Sequence, residues 1–165
     1  MIDDRPAAEP RLAAIIAVVI CTLVIRGAFV AATADSLNAD PDAYRSIAEN
    51  LRQHGVYGSG SSPTAFRPPL YPVLLAALAV DGKVTSAIAG GLNVLFGVAT
   101  VVLTFWLGRH WRLGRWSFAA AALVAIDPIL LNQSSLVMTE TLATCLATAS
   151  LLAITAWNAK PSPRR

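Results

Sequence analysis

Asp40, Asp42, Tyr44 and Arg45, and then Arg67 and Tyr71, share one polar stretch between hydrophobic runs, in the strings Asp40-Pro41-Asp42-Ala43-Tyr44-Arg45 and Arg67-Pro68-Pro69-Leu70-Tyr71-Pro72. A carboxylate held near a membrane surface takes a proton from a hydroxyl or an amine. A guanidinium meets two oxygens of a phosphate in a fork that lysine cannot form. The pattern therefore offers a base in Asp40 or Asp42 and an anion grip in Arg67, with Arg45 behind it. Glu140, in Met138-Thr139-Glu140-Thr141-Leu142, adds a carboxylate inside an apolar segment, where an acid is expensive unless paired or hydrated. Simpler readings stand beside these. Asp40 is placed as an ordinary helix N-cap, worth about 1 kcal/mol without any ligand, Arg67 could hold lipid headgroups, and Pro68 and Pro69 suit the first turn of a helix. His54 and His110 are isolated and carry no assignment.

These residues need a scaffold, and composition says that it is a bilayer protein. The chain is 55% hydrophobic and 14% charged, against about 25% charged for a soluble domain, and its mean hydropathy is +0.56. The net charge of +3 comes from Lys and Arg clusters outside the apolar runs, so it reports topology. No stacking aromatics interleave with a basic face, which excludes a nucleic-acid partner from the reading. Cys21 and Cys145 both lie inside apolar runs, and no disulfide framework or metal-ligand spacing exists.

Four apolar runs, at residues 12–34, 84–107, 116–131 and 136–157, approach the roughly 20 residues a helix needs to cross a bilayer. Ala32-Thr33-Ala34 resembles a cleavage site, but a leader with Asp3, Asp4 and Glu9 against Arg5 and Arg11 favours an uncleaved anchor. A fifth run, residues 69–80, covers only ~18 Å of a ~30 Å hydrocarbon core and reads as a juxtamembrane or re-entrant helix. Arg5, Arg11, Arg109, Arg112, Arg115, Lys160, Arg164 and Arg165 then share one side, with Trp106, Trp111, Trp116 and Trp157 at its interface. Arg45, Arg52, Arg67 and Lys83 lie on the other side, so the first is cytoplasmic, both termini with it. The exterior loop is residues 35–83. In it, residues 41–54 predict a helix capped by Asp40 with Pro41 in its first position, whose face of Tyr44, Ile47, Ala48 and Leu51 could lie on the membrane. Residues 58–63 read as a flexible connector. Ser86, Gly90, Asn93 and Gly97 form a small and polar stripe suited to close helix packing, within or between chains.

The run from Asp40 to Leu51, then Gly55, then Arg67 to Pro72, resembles the start of the GT-C fold glycosyltransferases, in the branch of the protein O-mannosyltransferases and the lipid A aminoarabinose transferases. Pro41 stands where many relatives carry Glu. The resemblance covers residues 12–157 but only the beginning of the family's longer architecture. It implies that Asp40, four before the aromatic Tyr44, is the catalytic carboxylate, with Asp42 second. It further implies that Arg67 and Arg45 meet the donor phosphate, and that Tyr44, Tyr71 and Glu140 line the site. The donor it implies is a polyprenyl-phosphate sugar, and the acceptor is a hydroxyl or amine of a glycan, lipid or protein, attacked with inversion at the exterior face of a bacterial inner membrane. No cofactor is required by the pattern, and a divalent metal stays open.

The sequence thus reads as an all-α polytopic membrane protein with about four transmembrane helices and exterior juxtamembrane helices, a single N-terminal part of a GT-C type domain over residues 1–165. Its length suggests a truncated or split enzyme. The alternative is a non-catalytic membrane scaffold or transporter fragment among lipids.

Overall fold

The computed structural model describes residues 12–158, and these form seven α-helices and one short hairpin. The charged leader and the basic tail, with Arg5, Arg11, Lys160, Arg164 and Arg165, lie outside the described residues. In chain order the helices are α1 (Leu12–Ala32), α2 (Tyr44–His54), α3 (Leu70–Leu78), α4 (Ser86–His110), α5 (Trp116–Ile126), α6 (Pro128–Ser134) and α7 (Glu140–Asn158). Three of them, α1, α4 and α7, are long and apolar enough to cross a membrane, and α5 with α6 makes a fourth candidate bent by 50°. The protein is an all-α polytopic membrane protein with three spans, or four if the bent pair is one.

The fourth candidate differs from the single helix expected over residues 116–131. At about 1.5 Å per residue, α5 reaches only about 16 Å, short of a hydrocarbon core. Pro128 has no N–H to bond the carbonyl of Val124, and the helix breaks there. Asp127 restarts it, its carboxylate accepting the Leu130 N–H at 2.9 Å.

Helix α4 is the axis of the bundle. Half of its spanning window is buried, against 11% for α1 and 17% for α7, whose outer faces are left to lipid. The stripe expected to pack closely does so within the chain. A Cβ on Gly90 would fall 2.8 Å from Val30 and 2.9 Å from Leu37, and one on Gly97 would fall 2.7 Å from Arg26. Ser86 donates to the Asn38 side chain at 2.7 Å, and Asn93 is fully buried. The opposite end of α4 packs Val101 and Phe105 on Ala121 and Ala125 of α5. Trp106, Trp111, Trp116 and Trp157 all stay exposed near this end.

Residues 35–83 fold as a cap over the start of α4. Their helix begins at Tyr44 and not at Pro41, because Ala43 takes a left-handed conformation (φ 61°) that interrupts a helix before it. Its apolar face is not laid on a membrane surface. Tyr44 and Ala48 pack into one core with Tyr71, Leu75 and Ala76 of α3, Ala89 and Leu92 of α4, and Leu142 of α7, with Leu51 at its edge. The segment read as a connector is a hairpin, β1 (Gly58–Ser59) paired antiparallel with β2 (Ser62–Pro63). A second tight turn, Asp81-Gly82, has both residues at positive φ and bridges Val80 to Lys83 before α4. Gln53 at the end of α2 donates to the Gly82 carbonyl at 2.7 Å, and Glu49 accepts the Val84 N–H at 2.9 Å. These contacts tie α2 to the entry of α4.

Candidate functional site

Asp40 precedes α2 by four residues yet still caps it. Its Oδ1 accepts the N–H of Arg45 at 3.1 Å, and its Oδ2 accepts both the N–H and the hydroxyl of Ser46, at 2.9 and 2.8 Å. These are the free amides of the first helical turn, where the dipole also favours an anion. The carboxylate is thereby fixed in orientation. Three of its roughly four lone-pair positions are used, which leaves one on Oδ1.

Asp42 does different work. Its Oδ1 lies 2.7 Å from the guanidinium of Arg67, with both side chains about a quarter exposed. That guanidinium sits 5.6 Å from the ring centre of Tyr44 and 4.9 Å from that of Phe66, so its remaining face is held by aromatic contact. Tyr57 fixes the backbone beneath it, donating its hydroxyl to the carbonyls of Arg67 and Pro68 at 3.0 and 3.2 Å. Burial pushes the Tyr57 phenol above its ordinary range, with Tyr44 adding to the effect. Arg45 turns away and donates to the Leu37 carbonyl, which pins the stretch before α2.

Tyr44 meets Tyr71 edge to face at 5.8 Å. Tyr71, fully buried, donates its hydroxyl to Asn93 Oδ1 at 3.1 Å. Burial pushes this phenol well above the usual tyrosine range, against the Asn93 hydrogen bond and the charge of Arg45, while Asp40 and Glu140 push the same way as burial. Glu140 enters from the first turn of α7. It is felt at the Tyr71 hydroxyl, and its Oε2 is buried with no hydrogen-bond partner. The structure thus links Asp42, Arg67, Tyr44 and Tyr71 through direct contacts, with Asp40 and Arg45 at the same helix start and Glu140 across from them. Among the described residues no three His, Cys, Asp or Glu side chains converge as a metal site.

Two residues outside the expected site gain importance in the structure. Asn93 donates to the Ser134 and Leu136 carbonyls at 3.1 and 2.8 Å, joining the Tyr71 hydroxyl to the end of α6. Arg26, within the first apolar run, is 1% exposed and donates to the Ser134 hydroxyl at 2.9 Å. An arginine inside an apolar run was the available signal for it, since intramembrane charges face the bundle interior. For Asn93 the signal was its place on the small and polar stripe.

Compared with known proteins, the chain matches no family model, no curated protein and no solved structure.

Proposed function

We propose that this protein is a GT-C type membrane glycosyltransferase that moves a sugar from a polyprenyl-phosphate donor to a hydroxyl or amine acceptor at the exterior face of a bacterial inner membrane. The observation that carries the reading is the oriented Asp40 carboxylate at the start of α2, the helix whose Tyr44 ring, with Phe66 and Asp42, holds Arg67. Asp40, rigid and with a free lone pair, takes the acceptor proton as the acceptor attacks the anomeric carbon from the side opposite the phosphate. The bond from that carbon to the phosphate oxygen breaks, and the anomeric centre inverts. Negative charge then grows on the lipid phosphate, where the Arg67 fork meets two of its oxygens. Asp42 aims that fork in the free protein and gives it up to the stronger bidentate partner. Tyr44, Tyr71 and Glu140 line the space, and Arg45 holds the approach to α2.

In this reading the cap faces the exterior, because the basic turn with Arg109, Arg112 and Arg115 marks the opposite, cytoplasmic side with both termini. A scaffold reading also has an observation in its favour, since Asp40 caps a helix and Asp42 and Arg67 neutralise each other. Transfer from a panel of polyprenyl-phosphate sugars by the protein in liposomes, wild type beside Asp40→Asn and Asp42→Asn, separates the two. The enzyme reading expects transfer by the wild type, none by Asp40→Asn, and weakened donor binding with Asp42→Asn. A folded, inserted wild type that transfers nothing sinks it and leaves the scaffold.

A further inference from the structure

Arg26 lies six residues before the end of α1, about 9 Å along the helix. Its surroundings are arranged for a cation. One terminal nitrogen donates to the Ser134 hydroxyl at 2.9 Å and to the Leu130 carbonyl at 3.4 Å, and the other donates to the Val124 carbonyl at 3.0 Å. The Val124 carbonyl is the one that Pro128 leaves without a helix partner, so the break between α5 and α6 supplies an acceptor for the arginine. Gly97 of α4 provides the room, since a side chain there would strike the guanidinium.

Two features remain unsatisfied. The Nε–H of Arg26 has no acceptor although the residue is fully buried. Among the described residues no carboxylate lies within ion-pair distance of it. Asp127 acts on it only through space, and one oxygen of Asp127 is used on the Leu130 amide. A charge in this position is costly without a counter-charge. Beside Arg26 runs a narrow crevice of about 10 Å³, lined also by Gly97, Thr100, Leu130, Thr141 and Thr144, with room for one water-sized body. The hydroxyls of Thr100 and Thr144 already donate to Phe96 and Glu140 carbonyls. The hydroxyl of Thr141 is buried and has no partner. The two unused groups on this crevice are the Arg26 Nε–H, a donor, and the Thr141 hydroxyl, which can also donate.

We infer that the crevice between α1, α4, α6 and α7 binds a single monatomic anion, a halide such as chloride, between Arg26 and Thr141. An anion satisfies both donors and also neutralises the guanidinium, whereas a water molecule would satisfy the donors alone. The site owes nothing to the proposed transfer reaction and stands without it.

The test follows thermal unfolding of the detergent-purified protein while sodium gluconate is exchanged for sodium chloride or bromide at constant ionic strength. For the wild type the expected result is a saturable rise in the midpoint, about 5 °C at a hundred-fold excess of halide over its dissociation constant. Thr141→Val keeps the volume and removes one donor, so its saturation moves to several-fold higher halide. Arg26→Gln, if it folds, loses the response. A wild type indifferent to halide overturns the inference and leaves a water in the crevice. So does a Thr141→Val variant with an unchanged halide response, because the anion is then bound elsewhere.

Discussion

At the scale of single residues, the two aspartates at the start of α2 separate by what holds them. Asp40 satisfies three donors of a helix start, so Asp40→Ala is expected to cost about 1–2 kcal/mol of stability, read as a lowered midpoint in denaturant unfolding. Asp42 and Arg67 form a partly exposed ion pair, and Asp42→Ala is expected to cost under about 1 kcal/mol by the same measurement. Tyr71 makes a prediction in pH. Its phenol is raised above the unfolded tyrosine range near 10 by burial, so the folded state holds the proton more tightly. The stabilisation is complete below about pH 10 and is lost as the pH rises from there through the folded value. A titration of the unfolding midpoint should therefore show an alkaline fall that is smaller in Tyr71→Phe, a variant also weakened by about 1–2 kcal/mol at neutral pH through the stranded Asn93. The residue types of the candidate site were legible in the sequence, since Asp, Arg and Tyr in a loop between apolar runs are groups able to serve proton and phosphate chemistry. Their pairing was not. Asp42 and Arg67 meet only because α2, the hairpin and α3 fold back on each other, a tertiary fact that no local spacing encodes.

At the scale of elements, the long apolar helices were readable because lipid demands a minimum run of apolar residues, and α1, α4 and α7 fall close to the expected spans. The failures have physical causes. The hairpin at Gly58–Ser59 and Ser62–Pro63 is too short for any alternation to show. The apolar stripe of α2 fitted a membrane surface as well as the face of α3, and periodicity alone does not choose between them. The α5–α6 break is hard to see in the sequence because hydropathy runs on through Asp127-Pro128, although a proline there disfavours a continuous helix. Packing along α4 gives a paired prediction. Gly97→Ala drives a methyl to within 2.7 Å of an arginine pinned by hydrogen bonds, and should destabilise by about 1–3 kcal/mol. Gly91→Ala meets nothing within 4 Å and should be neutral or stabilising by up to about 1 kcal/mol, as helix propensity dictates. Unfolding of the two variants in one detergent compares them directly.

At the scale of the whole molecule, the cap and the tryptophan-flanked turn lie at opposite ends of the bundle, which fixes what labelling in cells should find. With the proposed orientation, a cysteine at exposed Ser61 reacts with a membrane-impermeant maleimide added outside, and one at Gly114 reacts only after lysis. The reverse pattern would invert the protein and remove the site from the exterior. The partners of Arg26 carry a further consequence, one of time. Arg26 lies in α1, but Val124 follows 98 residues later and Ser134 follows 108 residues later. At about 5–20 residues per second, α1 waits about 5–20 s before its acceptors exist. Through that interval the nascent helix is held with its arginine drawn toward the nearer headgroups or sheltered by the insertion machinery, and it settles to its final depth only when the broken α5–α6 segment arrives. The position of α1 is therefore decided by residues of α5 and α6 that are made 98 and 108 places after its arginine.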